Sequence, residues 1–321
     1  MTRTTVIHTH GGGRFGNQLL LFGHLIALAA SEGDLEIVHM PFWPYASLCA
    51  GTDTNPLCIY PARRTIAQAL PGVVRTIAGV LPRRVERSLA YRVPRLLHRL
   101  NPQRSIDLDY APQTTDISAP AFLARLRSAP WMLLAGYDLR AWTAFDAESD
   151  RLRAFLRPLP RFWDAAARFV APLRQRHDPL IGVHIRRTDY RVWRHGKFFF
   201  DDSQYVDWIE QMRSRWGART GFVLSADEIV DRTHFNPEYC HWSDGTVGGP
   251  GHFLDGLAAL GSCDVVAAVP STFAAWASFF GEKPILLLAT GVNAATRPCL
   301  ERVWTDGRRD PLMVHATDSF A

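Results

Sequence analysis

The pattern of apolar and polar residues is most regular in the C-terminal half of the chain. Short apolar runs there predict strands at residues 180–185, 221–225, 265–269 and 284–289. The segments between them have a helical period and predict helices at residues 203–216, 252–262 and 271–280. Strands that alternate with helices in this way are typical of a parallel, doubly wound sheet.

The N-terminal half begins with the same kind of unit. A strand, a glycine loop, a buried helix and a second strand are predicted at residues 5–9, 11–16, 17–31 and 35–39. A further strand is predicted at residues 131–135. Prolines at positions 158 and 160 interrupt the chain after a helical stretch. We therefore expect two Rossmann-like domains, residues 1–160 and 161–321.

Residues 62–104 differ from both halves because they carry ten arginines and a single acidic residue, Glu86. Prolines at 71, 82 and 94 divide the segment into short helical pieces. Two interpretations stay open: a solvated helical insertion in the first domain, or a basic surface that rests on anionic lipid or a lipid-linked acceptor.

The composition agrees with a globular protein that binds an anion. The formal charge is +5 and the pI is about 9.1, and the base composition of the genome is the alternative explanation for the many arginines. The five cysteines are scattered without a CxxC pair, which favours reduced thiols and a cytoplasmic location. We expect no signal peptide and no membrane span, with contact at the inner face of the membrane only through residues 62–104.

The glycine loop has the spacing GxGxxG, and Glu36 follows twenty residues later. This pattern is the dinucleotide fingerprint, so an NAD(P)-dependent oxidoreductase is one candidate. A dinucleotide site, however, rests the pyrophosphate on bare backbone N–H groups. Here Arg14, Phe15 and Asn17 place large side chains at the turn, which suits contacts with a sugar or phosphate better.

Two adjacent arginines follow the predicted strand at residues 180–185, within the run from His184 to Asp189. Paired guanidinium groups are permanently charged and suit two neighbouring phosphates, so a diphosphate is expected at this strand end. We expect Arg187 to support the loop through Asp189.

Ser271, Thr272 and Phe273 lie between a predicted strand and a helix. They predict either an anion site at the helix start or an ordinary N-cap. Asp255 is either an acceptor for guanine N–H groups or a solvated helix residue. Asp107-Leu108-Asp109 is interpreted as a solvated loop, and no histidine spacing predicts a metal site.

Together, three motifs resemble the fucosyltransferase superfamily that uses GDP-fucose, which includes α-1,2, α-1,6 and protein O-fucosyltransferases. Residues 13–18 read GRFGNQ and are similar to the N-terminal motif of that superfamily. Residues 184–189 match its HxRRxD, and Asp255 with the STF at 271–273 resembles its third region. The resemblance spans residues 11–280 and leaves out the basic segment and the tail.

The resemblance implies an α/β fold of the GT-B type, with two Rossmann-like domains facing across a cleft. It also implies inverting transfer of fucose from GDP-fucose with no cofactor and no metal. Arg186 would be the catalytic group at the β-phosphate. The residues implied in donor binding are His184, Arg187, Asp189, Asp255, Ser271, Thr272 and Phe273. Those implied on the N-terminal side of the cleft are Gly13, Arg14, Phe15, Gly16 and Asn17.

Several points stay open at the level of the sequence. The acceptor is expected to be a surface polysaccharide or lipid-linked oligosaccharide, and nucleic acid is not expected as a partner. A GT-B enzyme using another GDP-sugar is the nearest alternative. A non-catalytic basic module that binds lipid or nucleic acid is another. The candidates for a general base are Asp189, Asp138, Glu36 and His195.

Overall fold

The computed structural model describes residues 3–55, 57–62, 96–108 and 114–288. The chain divides into two compact units, Met1–Arg157 (unit 1) and Pro158–Ala321 (unit 2). Most of the basic segment predicted at residues 62–104 lies outside the described residues, as does Asp109. Within that segment, residues 96–100 are helical.

Unit 1 contains a five-stranded sheet. Its strands are β1 (Thr4–His10), β2 (Leu35–His39), β3 (Ile59–Tyr60), β4 (Ser105–Asp107) and β6 (Trp131–Ala135). The order across the sheet is β3-β2-β1-β6-β4, and only the β2–β3 pair is antiparallel. Two further strands, β5 (Thr115–Asp116) and β7 (Leu139–Arg140), form a separate parallel pair.

One long helix is central to unit 1. Helix α1 (Phe15–Glu32) is apolar almost all round, and its residues 18–29 are buried. It ends at Gly33, whose φ of 74° is the left-handed conformation typical of a helix C-terminus. The shorter α-helices of the unit include α2 (Pro120–Leu126), α3 (Trp142–Ala147) and α4 (Ser149–Leu156), and 3-10 helices lie at Met40–Leu48 and Pro102–Arg104.

Unit 2 is a doubly wound sheet. Its strands are β8 (Leu180–Ile185), β9 (Gly221–Ala226), β10 (Cys240–Trp242), β11 (Val265–Ala268) and β12 (Ile285–Leu287). They lie in the order β10-β9-β8-β11-β12, and all neighbours are parallel. The helices are α5 (Pro160–Arg176), α6 (Asp202–Trp216), α7 (Phe253–Gly261) and α8 (Thr272–Gly281).

The central strands of unit 2 are continuous apolar runs in the sequence because their residues are buried. Every residue of β8, β9 and β11 is buried. A parallel sheet covered by helices on both faces needs apolar side chains at each position, so the usual alternation disappears.

The long predicted elements are confirmed, with boundaries shifted by no more than two residues. The interpretation of Asp107 as a loop residue is wrong, because Asp107 is the last residue of β4 and pairs with Ala135 of β6. A strand of three residues gives too short an apolar run to be recognised in the sequence.

Candidate donor site in unit 2

The candidate site lies where the strand order of unit 2 reverses. From β8 the chain continues to β9 and β10 on one side of the sheet, whereas β11 and β12 lie on the other. Ligands of doubly wound sheets bind at the carboxyl ends of the strands flanking such a switch point. His184 of β8 pairs in register with Ala268 of β11, so the segments after both strands meet there.

His184 joins the two segments. Its buried ring lies with Nδ1 3.3 Å from the Ser271 Oγ, within a hydrogen bond, and its centroid is 4.9 Å from that of Phe273. Burial lowers the pKa of His184 to about 4; Asp227 opposes the shift and Arg186 adds to it. His184 is therefore neutral at physiological pH.

Arg186 follows β8 directly and is held by two carboxylates. Its Nη1 donates to Asp227 Oδ2 at 2.6 Å, and its Nη2 donates to Asp189. The guanidinium carbon lies 5.2 Å from the ring centroid of Tyr190, and the side chain is 16% exposed. Arg186 therefore presents a fixed positive charge at the strand end, with part of its surface accessible to a ligand.

Arg187 is buried and has different partners. Its Nη2 donates to Asp202 Oδ1 at 2.5 Å and its Nε donates to the carbonyl of Phe200 at 2.8 Å. The expected pairing of Arg187 with Asp189 is wrong, since Asp189 pairs with Arg186. Arg187 instead joins the loop after β8 to the first turn of α6.

Asp227 is a site residue that the sequence interpretation missed. Its Oδ1 accepts the backbone N–H of Arg187 at 2.8 Å, and its Oδ2 accepts the Thr188 hydroxyl at 2.6 Å as well as Arg186. Burial opposes ionisation of Asp227, but Arg186, His184 and these hydrogen bonds lower its pKa overall. A signal was available, because Asp227 directly follows β9, the parallel neighbour of β8.

The segment after β11 forms the other side of the switch point. Ser271 occupies the N-cap position of α8, yet its side chain does not cap the helix, because the hydroxyl bonds to His184 instead. The carbonyl of Pro270 accepts a hydrogen bond from the Tyr190 hydroxyl. Thr272 and Phe273 are half-buried at the helix start, where backbone N–H groups and the helix dipole favour an anion.

Asp255 has a structural role at the start of α7. Its Oδ2 accepts the backbone N–H of His252 at 2.7 Å, and His252 Nδ1 accepts the N–H of Leu254 at 3.2 Å. This reciprocal arrangement is a capping box. Phe253 places its ring 6.4 Å from that of Phe273, so this helix start adjoins the segment after β11.

The glycine loop in unit 1 is rigidly held. Gln18 Nε2 donates to the carbonyls of Gly11 and Gly12 at 2.9 Å each. Gly13 has a φ of +93°, and a Cβ there would lie 2.2 Å from Asn17 Nδ2, so only glycine fits. Asn17 is half-buried, and Gly16 is buried in the first turn of α1.

The two large residues of this loop differ in their surroundings. Arg14 is exposed. Phe15 is buried with its ring centroid 5.3 Å from that of Tyr45 and 6.0 Å from that of Phe42. The side chain of Phe15 therefore belongs to the core, and Arg14 is the side chain that the loop presents to solvent.

Glu36 does not have the position that a dinucleotide site requires. It is the second residue of β2, where Thr5 Oγ1 donates to its Oε1 at 3.4 Å. The acidic residue that binds a ribose lies at the carboxyl end of that strand, and here His39 occupies the end. The geometry therefore disfavours the oxidoreductase alternative and removes Glu36 as a general base.

The other candidate bases have partners or lie on loops. Asp138 is 49% exposed and pairs with Arg140 at 3.3 Å. His195 is exposed in a left-handed conformation, with φ of 57°.

Among the described residues, no three histidine, cysteine or carboxylate side chains are grouped so as to hold a metal ion. No helix in the described ranges is long and apolar enough to cross a membrane.

Comparison with known proteins gives matches only among solved structures, since no family model and no curated protein matches the sequence. A mutant of Arabidopsis thaliana FUT1 in complex with GDP is 13% identical, aligns over 93% of this chain and 73% of its own, and has a TM-score of 0.50. POFUT1 in its apo form is 12% identical over 89% and 97% of the two chains, with a TM-score of 0.50. NodZ alpha-1,6-fucosyltransferase co-crystallised with GDP is 14% identical over 90% and 95%, with a TM-score of 0.45.

The FUT1 and POFUT1 matches establish the fold. They confirm the expected class, an α/β chain built on parallel sheets like those of the GT-B type. Sequence identity near 13% does not transfer an activity. The function must therefore be inferred from the site.

Proposed function

We propose that the protein is an inverting, metal-independent fucosyltransferase that moves L-fucose from GDP-fucose to a glycan hydroxyl. The observation that carries this proposal is Arg186, an arginine held by two carboxylates directly after β8, at the switch point of a doubly wound sheet. The three motifs of the resemblance and the GDP bound to the FUT1 structure support the same nucleotide.

The chemistry explains why an arginine is needed. Cleavage of the bond between fucose and the β-phosphate leaves about one additional negative charge on GDP. Without a divalent cation, a protein group must neutralise that charge, and the guanidinium of an arginine is a cation that forms charge-assisted hydrogen bonds to phosphate. Ser271, Thr272 and the backbone N–H groups at the start of α8 would complete the phosphate contacts.

The remaining donor contacts follow from position. His184 and Asp255 would contact guanine or ribose, with Phe273 beside them. Arg187, through Asp202, would hold the loop that carries Arg186. In unit 1, Gly13 and Gly16 would shape the loop that presents Arg14 and Asn17 to the fucose or the acceptor. We propose a surface polysaccharide or lipid-linked oligosaccharide as acceptor, with contact to a membrane surface through residues 62–104.

A thermal-shift series tests the nucleotide class directly. Millimolar GDP and GDP-fucose should stabilise the protein by more than about 2 kcal/mol if the dissociation constant is on the order of 10 μM. UDP and NADH should give much smaller shifts, because the proposed site recognises guanine and a diphosphate. Stabilisation by NADH without a response to GDP would overturn the proposal in favour of the oxidoreductase.

A further inference from the structure

We infer that Asp189 competes with the donor's diphosphate for Arg186, so that its carboxylate must leave Nη2 when the diphosphate binds. This inference rests on the proposed function and extends it, because it assigns opposite effects to the two carboxylates that hold Arg186. Asp227 positions the arginine, whereas Asp189, which the resemblance places among the donor-binding residues, opposes the use of the arginine by an anion.

The two carboxylates differ in how firmly they are held. The side chain of Asp227 is 12% exposed, and its two oxygens accept from Arg186, from the Arg187 backbone and from Thr188. These donors come from three successive residues of one loop. Movement of Asp227 would therefore leave several polar groups unsatisfied in a partly buried site, which is costly.

Asp189 is held much less firmly. Its side chain is 50% exposed, and its Oδ1 accepts from Arg186 Nη2 and from the Thr188 hydroxyl at 3.0 Å. Thr188 also donates to Asp227, so this hydroxyl is shared between the two carboxylates. Solvent can replace the contacts of Asp189, and exposed ion pairs of this kind contribute little stability.

The geometry makes the two anions competitors for one nitrogen of Arg186. Asp227 binds Nη1, and Asp189, the more exposed of the two carboxylates, binds Nη2. Nη2 has two N–H groups, but a phosphate oxygen that used the second one would lie next to the Asp189 carboxylate, and adjacent negative charges repel each other. Binding of the diphosphate therefore favours an Asp189 side chain turned toward solvent.

Replacing each aspartate with the isosteric asparagine tests this distinction. Titration calorimetry measures the affinity of each variant for GDP and, separately, for inorganic diphosphate. Asp189→Asn keeps the shape but removes the competing charge, so it should tighten GDP binding about three- to fivefold, the upper half of what an exposed ion pair contributes. Asp227→Asn should weaken GDP binding about tenfold or more, because the amide nitrogen would face donors of the loop. Asp207→Asn, an exposed change on α6, controls for the change in net charge.

Thermal unfolding without nucleotide separates competition from a structural role. Asp189→Asn should leave the unfolding midpoint unchanged or slightly lower while the affinity for GDP rises. If Asp189 only supported the structure, its replacement would lower both the midpoint and the affinity. If wild type binds GDP but Asp189→Asn binds it no more tightly than Asp207→Asn does, this inference alone is overturned. Tightening by both Asp189→Asn and Asp227→Asn would overturn it too, since simple electrostatics would then suffice. Failure of every variant, wild type included, to bind GDP would overturn the proposed function as well.

Discussion

Arg186 and Arg187 are adjacent and carry the same charge, yet their guanidinium groups have separate partners. Arg187 is turned inward to Asp202 and the carbonyl of Phe200, while Arg186 lies at the strand end between Asp189 and Asp227. The residue types and their place after a buried strand were predictable. The partners were not, because Asp202 and Asp227 reach the loop only through the packing of α6 and β9.

Replacement of Arg187 should affect stability more than any exposed arginine does. Arg187→Ala leaves Asp202, 17% exposed, without its main partner and should lower the free energy of unfolding by about 3 kcal/mol. Arg174, 41% exposed and paired with Asp264, is the matched control, and Arg174→Ala should cost less than about 1 kcal/mol. Urea unfolding measures both, and equal losses would contradict the structural role of Arg187.

At the scale of elements, length and burial decided what the sequence revealed. The long buried helix α1 and the buried strands β8, β9 and β11 have strong patterns and were predicted close to their true bounds. The strands that escaped prediction have two or three residues and depend on their neighbours for pairing.

The position of Glu36 within strand β2 distinguishes a dinucleotide-binding oxidoreductase from the other candidate functions. A spacing of twenty residues places Glu36 in the right region for a dinucleotide site, but strand β2 continues for three residues beyond it. Sequence spacing alone cannot fix which end of a strand a side chain occupies. The register of β2 against β1 supplies that information by setting Glu36 opposite Thr5.

At the scale of the molecule, both units follow one plan, a mostly parallel sheet whose strand order reverses beside the first strand. The alternation of strands and helices predicted this plan, because parallel strands need crossover helices. The functional assignment within it came from three short motifs. Two of them, at residues 184–189 and 271–273, meet after β8 and β11 because those strands are neighbours in the sheet, and the sequence does not state that order.

Buried neutral histidines give the whole molecule a characteristic acid sensitivity. Burial lowers the pKa of His8 to about 4, against the hydrogen bond to Gly136, and His10 and His98 add to the shift. Burial also lowers the pKa of His39 and His24 well below 6.5. The unfolded chain therefore binds protons that the folded protein does not as the pH falls from 6.5 to about 4.

Stability should accordingly be unaffected by these groups above pH 6.5 and fall steadily below it. Each histidine with a pKa near 4 contributes a loss of roughly 3 kcal/mol by the time the pH reaches that value. His8→Gln can keep a hydrogen bond to Gly136 and should flatten the fall in urea midpoints between pH 6.5 and 4. The exposed His195→Gln is the control, and an identical slope in the two variants would contradict this account.

Arg186 is proposed to neutralise the leaving diphosphate of a GDP-sugar. The most direct measurement is release of GDP from GDP-fucose by wild type and Arg186→Ala, with the exposed Arg215→Ala as control and GDP-mannose as the alternative donor. Loss of one such electrostatic group should lower kcat on the order of 10²–10³-fold at a temperature well below the unfolding midpoint of the variant, while Arg215→Ala stays near wild type. Turnover by Arg186→Ala within a few-fold of wild type would contradict the account.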